Sequence, residues 1–198
     1  MQPKRLGILI FPDVEVLDFC GPFEVFSVAR SSRDQVQGPF EVRLVAEQDG
    51  PVTAVGGLRV LPDYTLQTCP TLDILLVPGG SGARRSMDNT TLVQWVATRG
   101  RQVELLASVC TGAFLLAKAG LLDGRRATTH WEFTRLLADT FPNVSVVENT
   151  RYVEDGQVIT SAGISAGIDM ALHLVARYLG DNAARGTARQ MEYPYPAA

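Results

Sequence analysis

The sequence predicts an α/β fold, a mostly parallel sheet covered by helices on both faces. Strand-like runs alternate with helical patterns along the whole chain. Runs such as Leu72–Val77 are apolar almost throughout, as strands buried on both faces read. They stop at turn residues, Phe11-Pro12-Asp13 after the first and Pro78-Gly79-Gly80 after Val77. A length of 198 residues and a hydrophobic content of 46% fit one domain with a sizeable core.

Taken in order, Arg5–Ile10 is a buried strand. Val14 to Pro22 reads as a turn region, with Pro22 in the first turn of a helix running to about Arg30, because proline suits that position. Phe40–Ala46 is a second strand, and Val52–Thr53 with Leu58–Leu61 forms a small hairpin about Gly56-Gly57. After Leu72–Val77, Asn89–Thr98 is amphipathic, with Leu92, Val93 and Val96 on one side. An apolar strand from Val103 leads to Cys110, and the helix that follows ends near Gly120. Arg126–His130 reads as a short strand and Trp131–Ala138 as a helix. Ser145–Val147 and Arg151–Val153 are expected to pair with Gln157–Thr160 about Asp155-Gly156. Ser161–Ile164 is a loop, Ser165–Leu179 a long apolar helix, and a shorter helix runs to about Arg189. The tail Tyr193-Pro194-Tyr195-Pro196 cannot continue it.

A net charge of −3 leaves no electrostatic footprint for nucleic acid or an anionic membrane surface. The start at Met1-Gln2-Pro3-Lys4-Arg5 lacks the features of a signal peptide, and no apolar run approaches a membrane span. Cys20, Cys69 and Cys110 are too widely spaced for a disulfide framework or a zinc pattern, and only two histidines accompany them. No metal site is expected, and the chain reads as a cytoplasmic protein with reduced thiols.

Cys110 carries the chemistry. In Ala107-Ser108-Val109-Cys110-Thr111-Gly112 an apolar strand ends at a thiol and a helix begins at once, the sulfur version of a nucleophile elbow. The turn projects the side chain above the sheet edge, and Gly112 relieves crowding beneath it. The adjacent helix N-terminus is expected to favour thiolate over thiol. A buried, inert cysteine is the bland alternative. Carboxyl ends of parallel strands are where such sheets place their sites, and the Gly79-Gly80 loop and the loop after Ile10 point there too.

The elbow, Pro78-Gly79-Gly80, Ala127-Thr128-Thr129-His130-Trp131 and Gly163-Ile164-Ser165-Ala166-Gly167-Ile168-Asp169 together resemble the ThiJ/PfpI superfamily. That resemblance covers nearly the whole chain. It implies the flavodoxin-like three-layer sandwich of the class I glutamine amidotransferases. With Leu17-Asp18, Gly21-Pro22 and Thr111 directly after the cysteine, the pattern is most similar to bacterial isocyanide hydratases. These add water to an isocyanide and release an N-substituted formamide without a cofactor. Regulators of the AraC type have a similar front domain followed by a helix-turn-helix pair, for which this sequence leaves no residues.

The resemblance assigns Cys110 as nucleophile and Asp18 as the carboxylate that accepts and returns its proton; a helix cap is the plainer role for Asp18. If the two are close, the Asp18 pKa should be raised and the groups should titrate together. Thr111 stands where superfamily peptidases usually have histidine, so a local Cys-His dyad is absent. The Thr111 and Gly80 N–H groups are expected to bind developing negative charge, with Gly79, His130 and Ile164 beside the substrate. A plain tight turn is the alternative for Gly79-Gly80, and a structural histidine for His130. Phe19, Phe23 and Trp131 line a pocket or belong to the core, and His173 is a half-buried helix residue. The implied reading is a hydratase and a homodimer. Its rivals are a ligand- or redox-sensing domain and a glyoxalase or deglycase.

Overall fold

Three strands buried at every residue lie side by side at the centre of the molecule: β6 (Ile74–Val77), β7 (Leu105–Val109) and β11 (Val158–Ser161). They belong to a computed structural model that describes residues 2–31 and 38–195; Met1 and Pro196, read above as parts of the start and the tail, lie outside it. Before β6 come β1 (Lys4–Leu9), α1 (Val16–Val28), β2 (Phe40–Ala46), the hairpin β3 (Val52–Thr53) and β4 (Arg59–Val60), and β5 (Tyr64–Thr65). Between β6 and β7 lie α2 (Ser81–Arg85) and α3 (Thr90–Gln102). After β7 come α4 (Gly112–Lys118), β8 (Arg126–Ala127), α5 (Thr134–Thr140), β9 (Ser145–Val146) and β10 (Tyr152–Asp155). The described chain closes with α6 (Ala166–Leu179) and α7 (Asp181–Gln190).

The main sheet has seven strands in the order β10-β11-β7-β6-β1-β2-β5. All neighbours are parallel except β10 and β11, which form the hairpin expected at Asp155-Gly156. Helices α1, α6 and α7 pack together as one layer, and α2, α3 and α4 as the other. The expected α/β sandwich is therefore present. Parallel strands buried on both faces need such helical covers, because their side chains point alternately to either layer. No helix among the described residues is long and apolar enough to cross a membrane.

Several local expectations are corrected. Helix α1 begins at Val16, so Asp18 lies in its first turn and Pro22 in its interior. Pro22 lacks the N–H that would donate to the Asp18 carbonyl four residues earlier. Burying Phe19, Val25 and Phe26 outweighs that loss, since each such side chain contributes roughly 1.5–3 kcal/mol. Ser145–Val146 does not join the Asp155-Gly156 hairpin; it pairs in parallel with Arg126–Ala127 in a separate two-stranded sheet. Trp131–Phe133 is a 3-10 turn that precedes α5. The segment after Gly80 holds the five-residue α2, too short to show a period.

Candidate active site

Strands β1, β6 and β7 run parallel and end at one edge of the sheet, and that edge assembles the site. Cys110 follows β7 with φ +56°, a left-handed conformation that costs a side-chain-bearing residue about 1–2 kcal/mol. Its surroundings hold it there. The Cys110 N–H donates to the carbonyls of Ser161 (3.1 Å) and Ala162 (3.3 Å), and the Thr129 hydroxyl donates to the Cys110 carbonyl (2.7 Å). Gly112 is required, because a Cβ there would stand 2.1 Å from the Val77 carbonyl oxygen. The elbow read from the sequence is thus present, with Cys110 6% exposed.

Asp18 reaches the same point from α1 and is fully buried. Its Oδ2 accepts the Gly79 N–H at 3.0 Å. Oδ1 closes no hydrogen bond of its own; the Cys110 thiol and the Ile164 N–H act on the carboxyl from nearby without ideal geometry. Burial, reinforced by the charge of Glu15, pushes the Asp18 pKa up from 3.8 to about 7, against the Gly79 N–H, the thiol and the Ile164 N–H. Asp18 therefore titrates within the neutral range, where both of its forms are populated.

The thiol departs from expectation. Burial first, and the Asp18 charge second, push Cys110 up to about 12, while the Thr111 N–H and hydroxyl pull weakly the other way. A seven-residue helix with its sulfur sealed from water does not generate a standing thiolate. At neutral pH the thiol is therefore protonated, beside a carboxyl whose charge opposes its ionisation.

Thr111 closes the opposite wall. Its Oγ1 accepts the Gly80 N–H (3.0 Å) and lies 3.1 Å from the Gly80 carbonyl oxygen, to which it can donate. Its single proton serves either that carbonyl or the sulfur. Both glycine N–H groups are occupied, Gly79 by Asp18 and Gly80 by Thr111, so the Gly80 N–H is not the free substrate-facing donor expected of it. Of the expected pair only the Thr111 N–H acts on the Cys110 sulfur. Gly79 instead allows close approach, since a Cβ there would meet Thr111 N at 2.5 Å and Asp18 Oδ2 at 2.8 Å.

His130 caps the 3-10 turn, its Nδ1 accepting the Glu132 N–H at 3.3 Å, and its ring lies on Gly163, where a Cβ would be 2.1 Å from Cδ2. Ile164 follows at φ +58°, unusual for a β-branched residue, with its side chain 38% exposed. Trp131 is 77% exposed beside His130, whereas Phe19 belongs to the core and Phe23 packs half-buried against it. Cys20 packs half-buried against the core, and the buried Cys69 thiol meets the Pro70 carbonyl. His173, on α6, pairs with Glu154 of β10. Sequence reasoning missed Glu15, Thr129 and the Ser161–Ala162 carbonyls. Only Thr129 had a signal, as part of the Thr-Thr-His run.

The sequence model of the DJ-1/PfpI family matches residues 4–177. An isonitrile (isocyanide) hydratase of Pseudomonas putida is 38% identical over 190 residues, covering 96% of this chain and 78% of that protein. The HTH-type transcriptional regulator CdhR of Pseudomonas aeruginosa is 34% identical over 182 residues; the match covers 92% of this chain and 53% of the regulator, so the chain spans about half of it. Among solved structures, a ThiJ/PfpI family protein from Pseudomonas syringae superposes with a TM-score of 0.87 at 32% identity, covering 100% of this chain and 78% of that one.

Proposed function

The chain belongs to the DJ-1/PfpI family, and from that premise we propose that it is a cysteine-dependent isocyanide hydratase. One observation carries the reading: a fully buried carboxyl stands beside the thiol of a strand-end elbow, near enough for each to shift the other's ionisation. The 38% identity to an isonitrile hydratase supplies the substrate class.

The terminal carbon of an isocyanide accepts a nucleophile and, on doing so, gains a lone pair that must be protonated at once. In its ionised form Asp18 takes the Cys110 proton as the carbon–sulfur bond forms and passes that same proton to the new carbanion. The product is a thioimidate, and Asp18 is left as carboxylate. Water then adds to the thioimidate carbon, Asp18 accepting one of its protons while the nitrogen gains another. Collapse breaks the carbon–sulfur bond and returns the thiol with release of the formamide. A carboxyl that titrates near pH 7 suits both halves, because it accepts and returns one proton in each, from sulfur to carbon in the first and from water to sulfur in the second. The Thr111 N–H and hydroxyl stabilise sulfur while it carries charge.

Turnover of a simple aryl isocyanide, run beside methylglyoxal, tests this. Formamide release by the wild type, and none by Cys110→Ala or Cys110→Ser with the fold retained, is expected. Wild-type rates in either variant would end covalent catalysis, and turnover of methylglyoxal alone would move the reading to a glyoxalase. The 34% identity to CdhR favours a second reading, a ligand-sensing domain. Isocyanide binding seen by calorimetry without turnover would support it.

A further inference from the structure

Ile164 holds a left-handed conformation that its own side chain does not explain, since that side chain is partly in solvent. Something on either side must impose it. On the N-terminal side the chain is fixed by β11 and by the Cys110 N–H on the Ser161 and Ala162 carbonyls. On the C-terminal side α6 begins two residues later, and its first turn sits directly on the reacting groups' supports. A Cβ on Gly167 would lie 3.0 Å from Val109, the residue before Cys110, and 3.5 Å from Pro22 on α1. A Cβ on Gly21 would likewise lie 2.9 Å from the Ile168 side chain.

One side chain ties this turn down from outside. Arg151 donates from Nε to Asp169 Oδ2 at 2.6 Å and from a terminal nitrogen to Ser165 Oγ at 3.1 Å. Its own carbonyl accepts the Ala162 N–H at 2.9 Å, so Arg151 grips the loop at both ends. Tyr193 completes the clamp, its hydroxyl donating to Asp169 Oδ1 at 2.9 Å. An exposed pair adds little stability, and the Arg151 side chain is 52% exposed. Its planar fork nevertheless fixes two acceptors one helical turn apart in a single geometry.

We propose that Arg151 is a positioning residue for the Cys110–Asp18 pair: by bridging Ser165 and Asp169 it fixes the first turn of α6 and holds the Ile164 N–H towards Asp18. This rests on Asp18 and Cys110 acting together as described above. The other groups acting on Asp18 are Glu15 of α1, the Cys110 thiol after β7 and the Gly79 N–H after β6, none of which Arg151 touches. The Ile164 N–H favours the ionised carboxyl, so loosening it leaves Asp18 protonated to higher pH.

The test is the rate of Cys110 alkylation by iodoacetamide against pH, the modified residue located by mass spectrometry, with melting temperature recorded alongside. In Arg151→Gln the first midpoint should rise by about half a pH unit or more, the effect of losing roughly one hydrogen bond to the ionised form. Arg151→Lys, which keeps charge without the fork, should recover part of the shift, and Tyr193→Phe should show a smaller shift in the same direction. Midpoints unmoved in the folded variants, even with lowered melting temperatures, would mean a merely structural role and overturn the proposal; should Arg151→Gln not fold, the other two decide. The readout needs no turnover. A displaced midpoint in a protein that hydrates no isocyanide would sink the hydratase reading and leave this one standing.

Discussion

Asp18 is where burial and chemistry oppose each other most directly. Folding raises its pKa from 3.8 to about 7, so the native state keeps a proton that the unfolded chain releases. The stability this proton supplies is complete below the unfolded value and is lost as pH rises through the folded one. Between about pH 4 and 7 the wild type should lose stability at a slope approaching 1.4 kcal/mol per pH unit from this group alone. Asp18→Asn has no proton to lose. Urea unfolding of both proteins from pH 4 to 8 should show the variant gaining steadily on the wild type, and parallel curves would contradict the raised pKa. Cys110 was legible at this scale because an apolar strand, a thiol and a glycine fall within a few residues. Its protonation state was not, since that depends on a carboxylate 92 positions away, from 110 − 18.

At the scale of elements, the site is three turns pressed together with no room to spare. Gly112→Ala would drive a Cβ to 2.1 Å from a backbone oxygen of β6, which cannot move without breaking the sheet. A loss on the order of 3 kcal/mol or more in chemical denaturation is expected, the upper end for overpacking. Gly79→Ala meets Thr111 and Asp18 instead, so it should impair turnover more than stability. Equal effects of the two substitutions would argue against the close approach of these turns. The apolar runs gave the strand order its raw material, and the Asp155-Gly156 turn marked its hairpin correctly. The start of α1 was hidden because proline usually marks a first turn, and here tertiary burial of Phe19, Val25 and Phe26 overrides that preference. The partner of Ser145–Val146 was hidden too, because two-residue strands take their pairing from the packing around them.

For the whole molecule, we propose a homodimer. Leu17, Trp131 and Ile164 are exposed apolar side chains next to Asp18, His130 and the Gly163 turn, and a second copy would cover them. Sedimentation velocity at micromolar concentration should give a two-chain species, and a monomer alone would overturn this. The proposed activity likewise needs the whole fold, because α1, the β6 loop, the β7 elbow and the turn before α6 each bring a group to the Cys110–Asp18 pair. The most direct test is isocyanide turnover by wild type, Asp18→Asn and Asp18→Glu, with melting temperatures measured on the same samples. A proton shuttle predicts a fall of about 10²–10⁴-fold in Asp18→Asn with the fold intact, and partial recovery in Asp18→Glu. Normal turnover in Asp18→Asn would contradict it, and would leave Asp18 as no more than a residue of the first turn of α1.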